Sequence, residues 1–418
     1  MLFMHLSDLH LDTPFSGIGK EMESLQQQLV KAPFEAFERG ITVAVNRQVD
    51  AVVIAGDVYD SIRQTLYAQY FFIQQLERLN EAHIPVLLIH GNHDFIASDA
   101  PQMQLPDNVY QFNTDRVSYF DIETSAGETA RFYGFSYTSR WIKERKVTQF
   151  PINPRATDYT IGIYHGSREG MESGAGNYAP FAVSEMLDKQ YDYWALGHIH
   201  QAHRLNDAPI IQYAGNLQGR HRNEVGDKGA FLVTLSKDSQ PKSEFIPLSH
   251  IVWQTVEISC QRGWQVADLV DTIKESLSIY EEEGKLKEQS YLLTVYFTHA
   301  ERLEDELIDQ ITQGELMDLF RNESLQEPFV AVVSIRLRQD QTIEPFIYDE
   351  ALNESYQQAK ALLLQKNKQV EGLEQLFQND VMVNWLNDII EDETFYEELV
   401  ESGSDLMTRL LGMNREEE

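Results

Sequence analysis

A chain of 418 residues exceeds one ordinary domain and suits two or three, and 42% hydrophobic with 11% aromatic residues excludes wholesale disorder. The single cysteine, Cys260, excludes an intrachain disulfide and fits a reducing, cytoplasmic setting; no apolar run is long enough for a transmembrane helix, and the first residues lack the basic start of a signal peptide. A formal net charge of −32 repels nucleic acid and anionic membrane alike, so a nucleic-acid role must rest on a local patch, a metal centre or a basic partner.

Short apolar runs, each ending in a polar loop, predict buried strands at residues 2–6, 51–55, 85–89, 159–164 and 191–196. After the first run, Phe34, Phe37, Ile41 and Val45 fall at helical spacing and share one face. Ser61-Ile62-Arg63-Gln64 has the spacing of a capping box, which predicts a helix from Ser61 to about Ala82. The segment Trp141 to Lys146 mixes cations with an aromatic and reads as an exposed helix. Residues 166–178 are rich in Gly and Ser and read as a substrate loop or a plain connector. Further strands are predicted near 132–135, 210–213, 230–235 and 244–248. Strands alternating with helices, then clustered strands, predict a layered α/β sandwich.

A first boundary is expected at 248–254. Residues 251–343 then read as a smaller α+β unit, with strands at 252–258, 290–297 and 329–337 and helices at 266–277 and 301–319. Residues 344–418 are helical in pattern and acidic: 351–418 hold 15 acidic against 5 basic residues. Within them Phe377, Val381, Trp385, Ile389 and Ile390 form either a partner-binding face or one packed on its own chain.

Five polar stretches stand at the carboxyl ends of predicted strands: Asp8-Leu9-His10, Gly56-Asp57, Gly91-Asn92-His93-Asp94, Tyr164-His165-Gly166 and Gly197-His198-Ile199-His200. Ligands of α/β sheets collect outside the carboxyl ends of strands, so these stretches converge on one edge. Carboxylate, imidazole and amide oxygen without thiolate suit manganese, iron or zinc. The donors are too many for one ion. Asp8, His10, Asp57 and His200 could surround one metal, and Asp57, Asn92, His165 and His198 a second, with Asp57 bridging. Two metals ~3.5–4 Å apart clamp the attacking and leaving oxygens of a phosphoryl displacement. In an extended segment, Asp-x-His or His-x-His would point both side chains the same way. His90, just before the third stretch, is either a neighbour of the site or a satisfied core histidine.

The order Asp-x-His, Gly-Asp-x-x-Asp, Gly-Asn-His-Asp, His, Gly-His-x-His resembles the calcineurin-like metallophosphoesterase superfamily over residues 1–250. The resemblance implies a four-layer sandwich of two mixed sheets flanked by helices, and a two-metal site with the ligands named above. It also implies that His93 protonates the leaving oxygen or stabilises the transition state, that Asp94 orients His93, and that Asp60 is structural. Residues 7–15 and 214–222 are similar to the SbcD-type DNA repair exonuclease branch, and most to YhaO-family proteins. Serine/threonine phosphatases fit less well, because Asp94 and Ser61 stand where they carry Glu and Arg. Purple acid phosphatases carry a tyrosine where Asp60 stands.

By the same resemblance, manganese is the expected metal, with iron and zinc as options. Residues 251–343 lie where the branch caps DNA, and residues 344–418 where it docks on an SMC-like coiled-coil ATPase; a homodimer is expected, and no membrane association. Arg220, His221 and Arg222, followed by Lys228, form the densest basic spot near the site and are candidate contacts to a backbone phosphate. The resulting expectation is a two-metal-dependent DNA nuclease acting on ends or single strands. Two alternatives stay open: a small-nucleotide phosphodiesterase of the same chemistry, and a non-enzymatic scaffold that binds DNA ends or an ATPase.

Overall fold

In chain order the strands are β1 (Leu2–Leu6), β2 (Ala51–Ala55), β3 (Val86–Ile89), β4 (Val109–Gln111), β5 (Ser118–Glu123), β6 (Thr129–Gly134), β7 (Tyr159–His165), β8 (Tyr193–Gly197), β9 (His203–Asp207), β10 (Ile210–Tyr213), β11 (Gly229–Ser236), β12 (Ser239–Pro247), β13 (Ile251–Ser259), β14 (Ser290–Thr298) and β15 (Val330–Arg338). The helices are α1 (Glu23–Asn46), α2 (Leu66–Glu81), α3 (Val183–Leu187), α4 (Val266–Lys287), α5 (Asp305–Gln313), α6 (Glu315–Asp318) and α7 (Glu350–Leu363). This computed structural model describes residues 1–13, 23–60, 64–96, 104–170, 178–321, 326–338 and 350–363, with Val400 and Gly403. The chain divides into two units. One is Met1–Val256 with Thr272–Val295 and Met317–Ser334; the other is Glu257–Asp271 with Tyr296–Leu316 and Ile335–Glu418.

The first unit carries two six-stranded sheets, in the orders β12-β11-β1-β2-β3-β4 and β5-β6-β7-β8-β10-β9. Both are mixed: β1 to β4 run parallel, β11 pairs antiparallel with β1 on one side and β12 on the other, and β6, β7, β8 and β10 run parallel between antiparallel β5 and β9. The period of two along each strand sorts the side chains into layers. Phe3, Val53, Ala55, Leu87 and Ile89 of one sheet pack against Phe132, Ile161, Ile163, Tyr193 and Ala195 of the other. The alternate residues Met4, Leu6, Val52, Ile54 and Leu88 meet Phe37, Ile41, Phe72 and Leu76 of α1 and α2. On the far face, Tyr164, Trp194 and Leu196 meet Val147, Phe150 and Met186. The expected sandwich of two mixed sheets between helical layers is therefore the observed one. Ile251, Trp253, Leu292 and Ala331, from the sheet β13-β14-β15, pack with Leu25, Leu29 and Ala32 of α1.

Three local expectations are corrected. Helix α2 starts at Leu66, not Ser61: its N-cap is Thr65, whose side chain accepts from the Ala68 N–H at 3.1 Å. Residues 61–63 lie outside the described ones. The segment Trp141 to Lys146 is not an exposed helix. Ile142 forms a bridge with Tyr178, Lys146 is buried against Asp115 at 3.0 Å, and Arg145 is ion-paired to Glu185 and Glu169; only Lys146–Gln149 makes a short 3-10 turn. The helix expected over 301–319 breaks in the middle, where Gly314 at φ +88° closes α5 in the left-handed region. Strands β4, β5 and β9 escaped the sequence reading because they lack a buried apolar run; β5 and β9 are mostly exposed. Residues 171–177 and the apolar positions from Phe377 to Ile390 lie outside the described residues. Among those described, no helix is long and apolar enough to cross a membrane.

Candidate metal centre

The strand ends deliver the site. Asp8 and His10 follow β1, Asp57 follows β2, and Asn92 and His93 follow β3, three neighbours in one sheet. His165 ends β7, and His198 follows β8, its neighbour in the facing sheet. The chain does not stay extended there, as the Asp-x-His argument required. Asp8, His10 and Asp57 have φ of 49°, 44° and 49°, and His198 has 103°. Such left-handed positions cost free energy and persist only where surroundings enforce them. For the first three a backbone ladder does so: the N–H groups of Asp8, His10 and Leu11 donate to the carbonyls of Gly56, Asp57 and Val58 at 3.1, 3.1 and 2.9 Å.

The candidate ligands form two joined groups. Asp8, His10 and His200 offer donor atoms within 4.8 Å of one another, and so do Asp57, His165 and His198. In the first, His10 Nε2 lies 2.9 Å from His200 Nε2. In the second, Asn92 Oδ1 lies 3.0 Å from His165 Nε2 and 3.1 Å from His198 Nδ1. Asp57 Oδ2 stands between them, 3.3 Å from His165 Nε2 and 4.0 Å from His10 Nε2. All seven residues expected as ligands are thus brought together. A third group, His10, Asp60 and His93, adjoins the first, with His10 Nδ1 3.1 Å from Asp60 Oδ1.

Burial and mutual charge set the protonation. Burial favours neutral Asp57, but His165 and His93 outweigh it and hold the carboxyl well below its usual range. Burial likewise opposes charge on His165, yet Asp57 lifts it to about 9. His10 is pushed down to about 3 by burial and by Arg220, and His198 is lowered by burial and His165. Burial raises Asp8 against the pull of His165 and His200.

These residues fit a pair of divalent cations. The donors are imidazole nitrogen, carboxylate and amide oxygen, with no thiolate, and several aim at one another at contact distance. The cradle is also kept open. A Cβ at Gly91 would lie 2.2 Å from Asp57 Oδ1 and 2.7 Å from His165, and one at Gly56 (φ +93°) would lie 2.4 Å from His165 Nδ1.

The neighbours differ from expectation in two respects. Asp94 does not hold the His93 ring. Its carboxylate lies 3.1 Å from His90 Nδ1 and accepts from the N–H groups of Val58 and Gly91 at 2.9 and 2.8 Å, so it ties the second and third loops together. The ring of His93 is held instead by the Asp60 carbonyl, which accepts from Nδ1 at 3.0 Å. His90 is a buried residue satisfied by Asp94 and Gln111. Asp60 is more than structural filler, since its carboxylate also pairs with Arg220 at 3.0 Å beside His10. The guanidinium and His10 keep that carboxyl ionised against its burial. Arg220 thus borders the site, whereas His221 is about half exposed and lies 3.5 Å from Glu224.

Glu224 was missed altogether. Its Oε1 lies 2.6 Å from His200 Nδ1, and its Oε2 accepts from Asn216 Nδ2 and the Arg220 N–H, both at 2.7 Å. Burial would raise it, but His200 holds it well below the usual carboxylate range. A buried carboxylate on the far nitrogen fixes which nitrogen a ligating histidine presents. The only sequence signal was an acid two residues past Arg222.

The calcineurin-like phosphoesterase profile matches residues 1–202. The uncharacterized metallophosphoesterase YhaO of Bacillus subtilis is 33% identical over 290 residues, 68% of this chain and 69% of that protein. The DNA double-strand break repair protein Mre11 of Sulfolobus acidocaldarius is 25% identical over 252 residues, 57% of this chain and 61% of its own. One of the subunits of the nuclease SbcCD of Staphylococcus saprophyticus is 24% identical over 324 residues, 70% of this chain and 80% of its own. With its two mixed sheets and clustered Asp, His and Asn donors, the chain belongs to the calcineurin-like phosphoesterase family, hydrolases of phosphoester bonds built around a dinuclear metal site.

Proposed function

We propose that the chain is a two-metal DNA nuclease, hydrolysing phosphodiester bonds at DNA ends or in single strands. The observation that carries this reading is the pairing of the complete Asp, His and Asn cradle with relatives named as a nuclease and a double-strand break repair protein. Asp8, His10, Asp57 and His200 hold one ion, and Asp57, Asn92, His165 and His198 the other. The ions, manganese by preference and iron or zinc otherwise, supply Lewis acidity on the phosphate and a water of lowered pKa.

The chain's own residues supply the rest. His93 Nδ1 is anchored on the Asp60 carbonyl, so Nε2 is the atom that hands a proton to the leaving oxygen. Asp94 secures the loop that carries His93, through Val58 and Gly91 rather than through the ring. Arg220 steadies Asp60 and, with His221 and Arg222, meets a backbone phosphate. Residues 251–343 act as a DNA-capping unit, and residues 344–418 dock on an SMC-like ATPase, in a cytoplasmic homodimer.

The test is manganese-dependent cleavage of end-labelled linear duplex and single-stranded DNA, run beside His93→Ala. Cleavage by the wild type alone is the expected result. Turnover of dinucleotides but not DNA would favour the small-nucleotide alternative. Equal cleavage by both proteins would remove His93 from its role.

A further inference from the structure

An aromatic row leads from the metal centre to the surface. The ring of Tyr178 lies over His198, with centroids 4.6 Å apart, and the ring of Trp141 follows at 5.3 Å from Tyr178. The row is held by the backbone: Ile142 bridges Tyr178, and the Ala179 N–H donates to the Ile142 carbonyl at 2.6 Å. Trp141 is 44% exposed, so the outer end of the row is open to solvent. The Arg140 guanidinium sits 5.1 Å from the Trp141 ring centre and brings positive charge to this end of the row. Two further cations of the segment are committed, Arg145 to Glu185 and Glu169, and Lys146 to Asp115.

We infer that Trp141 and Tyr178 form a stacking platform that seats a nucleobase of the strand whose phosphate occupies the metal centre. The inference rests on the nucleic-acid reading of the substrate and adds how the strand is held. Stacking suits this chain physically. At −32 net charge, long-range attraction for a polyanion is lacking. A base face, by contrast, is uncharged, and stacking on an aromatic side chain is strong and tolerant of sequence. Such binding also depends less on salt than binding by phosphate contacts.

The test measures binding of a fluorescent single-stranded oligonucleotide to the full chain with manganese, by anisotropy, for wild type, Trp141→Ala, Trp141→Leu and Trp141→Phe. A matched oligonucleotide carrying abasic sites serves as the second probe. Trp141→Ala and Trp141→Leu should weaken binding of the intact strand about 5- to 100-fold. Trp141→Phe should restore most of it, and the loss should be far smaller on the abasic strand. Wild-type affinity in Trp141→Leu, or equal losses on both probes, would overturn the platform. Intact binding that depends on Trp141 without any cleavage would spare the platform and defeat the nuclease reading. No binding by the wild type would defeat the platform together with its substrate class.

Discussion

Around His10 and His200 the neighbours are charged: Glu224 on His200, Asp60 on His10, and Arg220 paired with Asp60. Around His165 and His198, apart from the Asp57 and Asp8 carboxylates, they are neutral. His165 Nδ1 donates to the Ala55 carbonyl at 2.9 Å, Asn92 Oδ1 faces both rings, and Tyr178 covers His198. The first half is therefore braced by ion pairs that one substitution can discharge. The second is braced by main chain and amide, which side-chain changes disturb less. The Asp57 carboxylate faces both halves, and Asp8 crosses between them by accepting from the His198 N–H at 3.0 Å.

That contrast is breakable by experiment. The largest effect is expected from Asp57→Ala, which removes the donor shared by both halves. Metal content should fall from two ions to none and activity to background. Two tightly bound ions by elemental analysis would show that Asp57 is not the bridge. Next comes His93→Ala, which removes a ring set edge-on against His10 but none of the seven candidate ligands. It should keep both ions by calorimetry and lose about 10²–10⁴-fold in turnover. Lost metal would instead make His93 a ligand, which its place beside His10 and Asp60 permits.

Glu224→Gln separates the halves. It keeps the shape of the brace on His200 but not its charge, so manganese affinity should weaken about 10- to 100-fold at one site while the other holds. Equal weakening at both would mean that the halves are not braced independently.

The smallest effect lies behind the centre. His5 is fully buried, its Nδ1 accepts from the Tyr193 hydroxyl at 2.9 Å, and burial pushes its pKa down to about 3. The folded chain thus keeps it neutral while the unfolded chain protonates it below about 6.5. The stability it supports is complete above that pH and falls as pH drops towards 3. Between pH 7 and 5, wild type should lose about 2 kcal/mol relative to His5→Asn in denaturant titrations. Parallel losses in both proteins would show that His5 is not the titrating group.

The sandwich and the seven candidate ligands were legible because each strand that carries a ligand is a short apolar run that stops at a short polar motif. Buried parallel strands must read that way, and their carboxyl ends must converge. Convergence brings His10 to 2.9 Å from His200, although 190 residues separate them in the chain. The bracing was not legible. Glu224, Asp60 and Arg220 sit in polar loops with no periodicity, where nothing local says which buried nitrogen a carboxylate will reach. Asp94 follows His93 in sequence yet serves His90, because the loop turns its carboxylate back onto two backbone N–H groups. Trp141 and Tyr178 are 37 residues apart and meet through a single bridge. Periodic burial is a property of one strand or helix and leaves a pattern in the chain. Pairing between loops depends on where folding puts both ends, and the chain carries no local record of that.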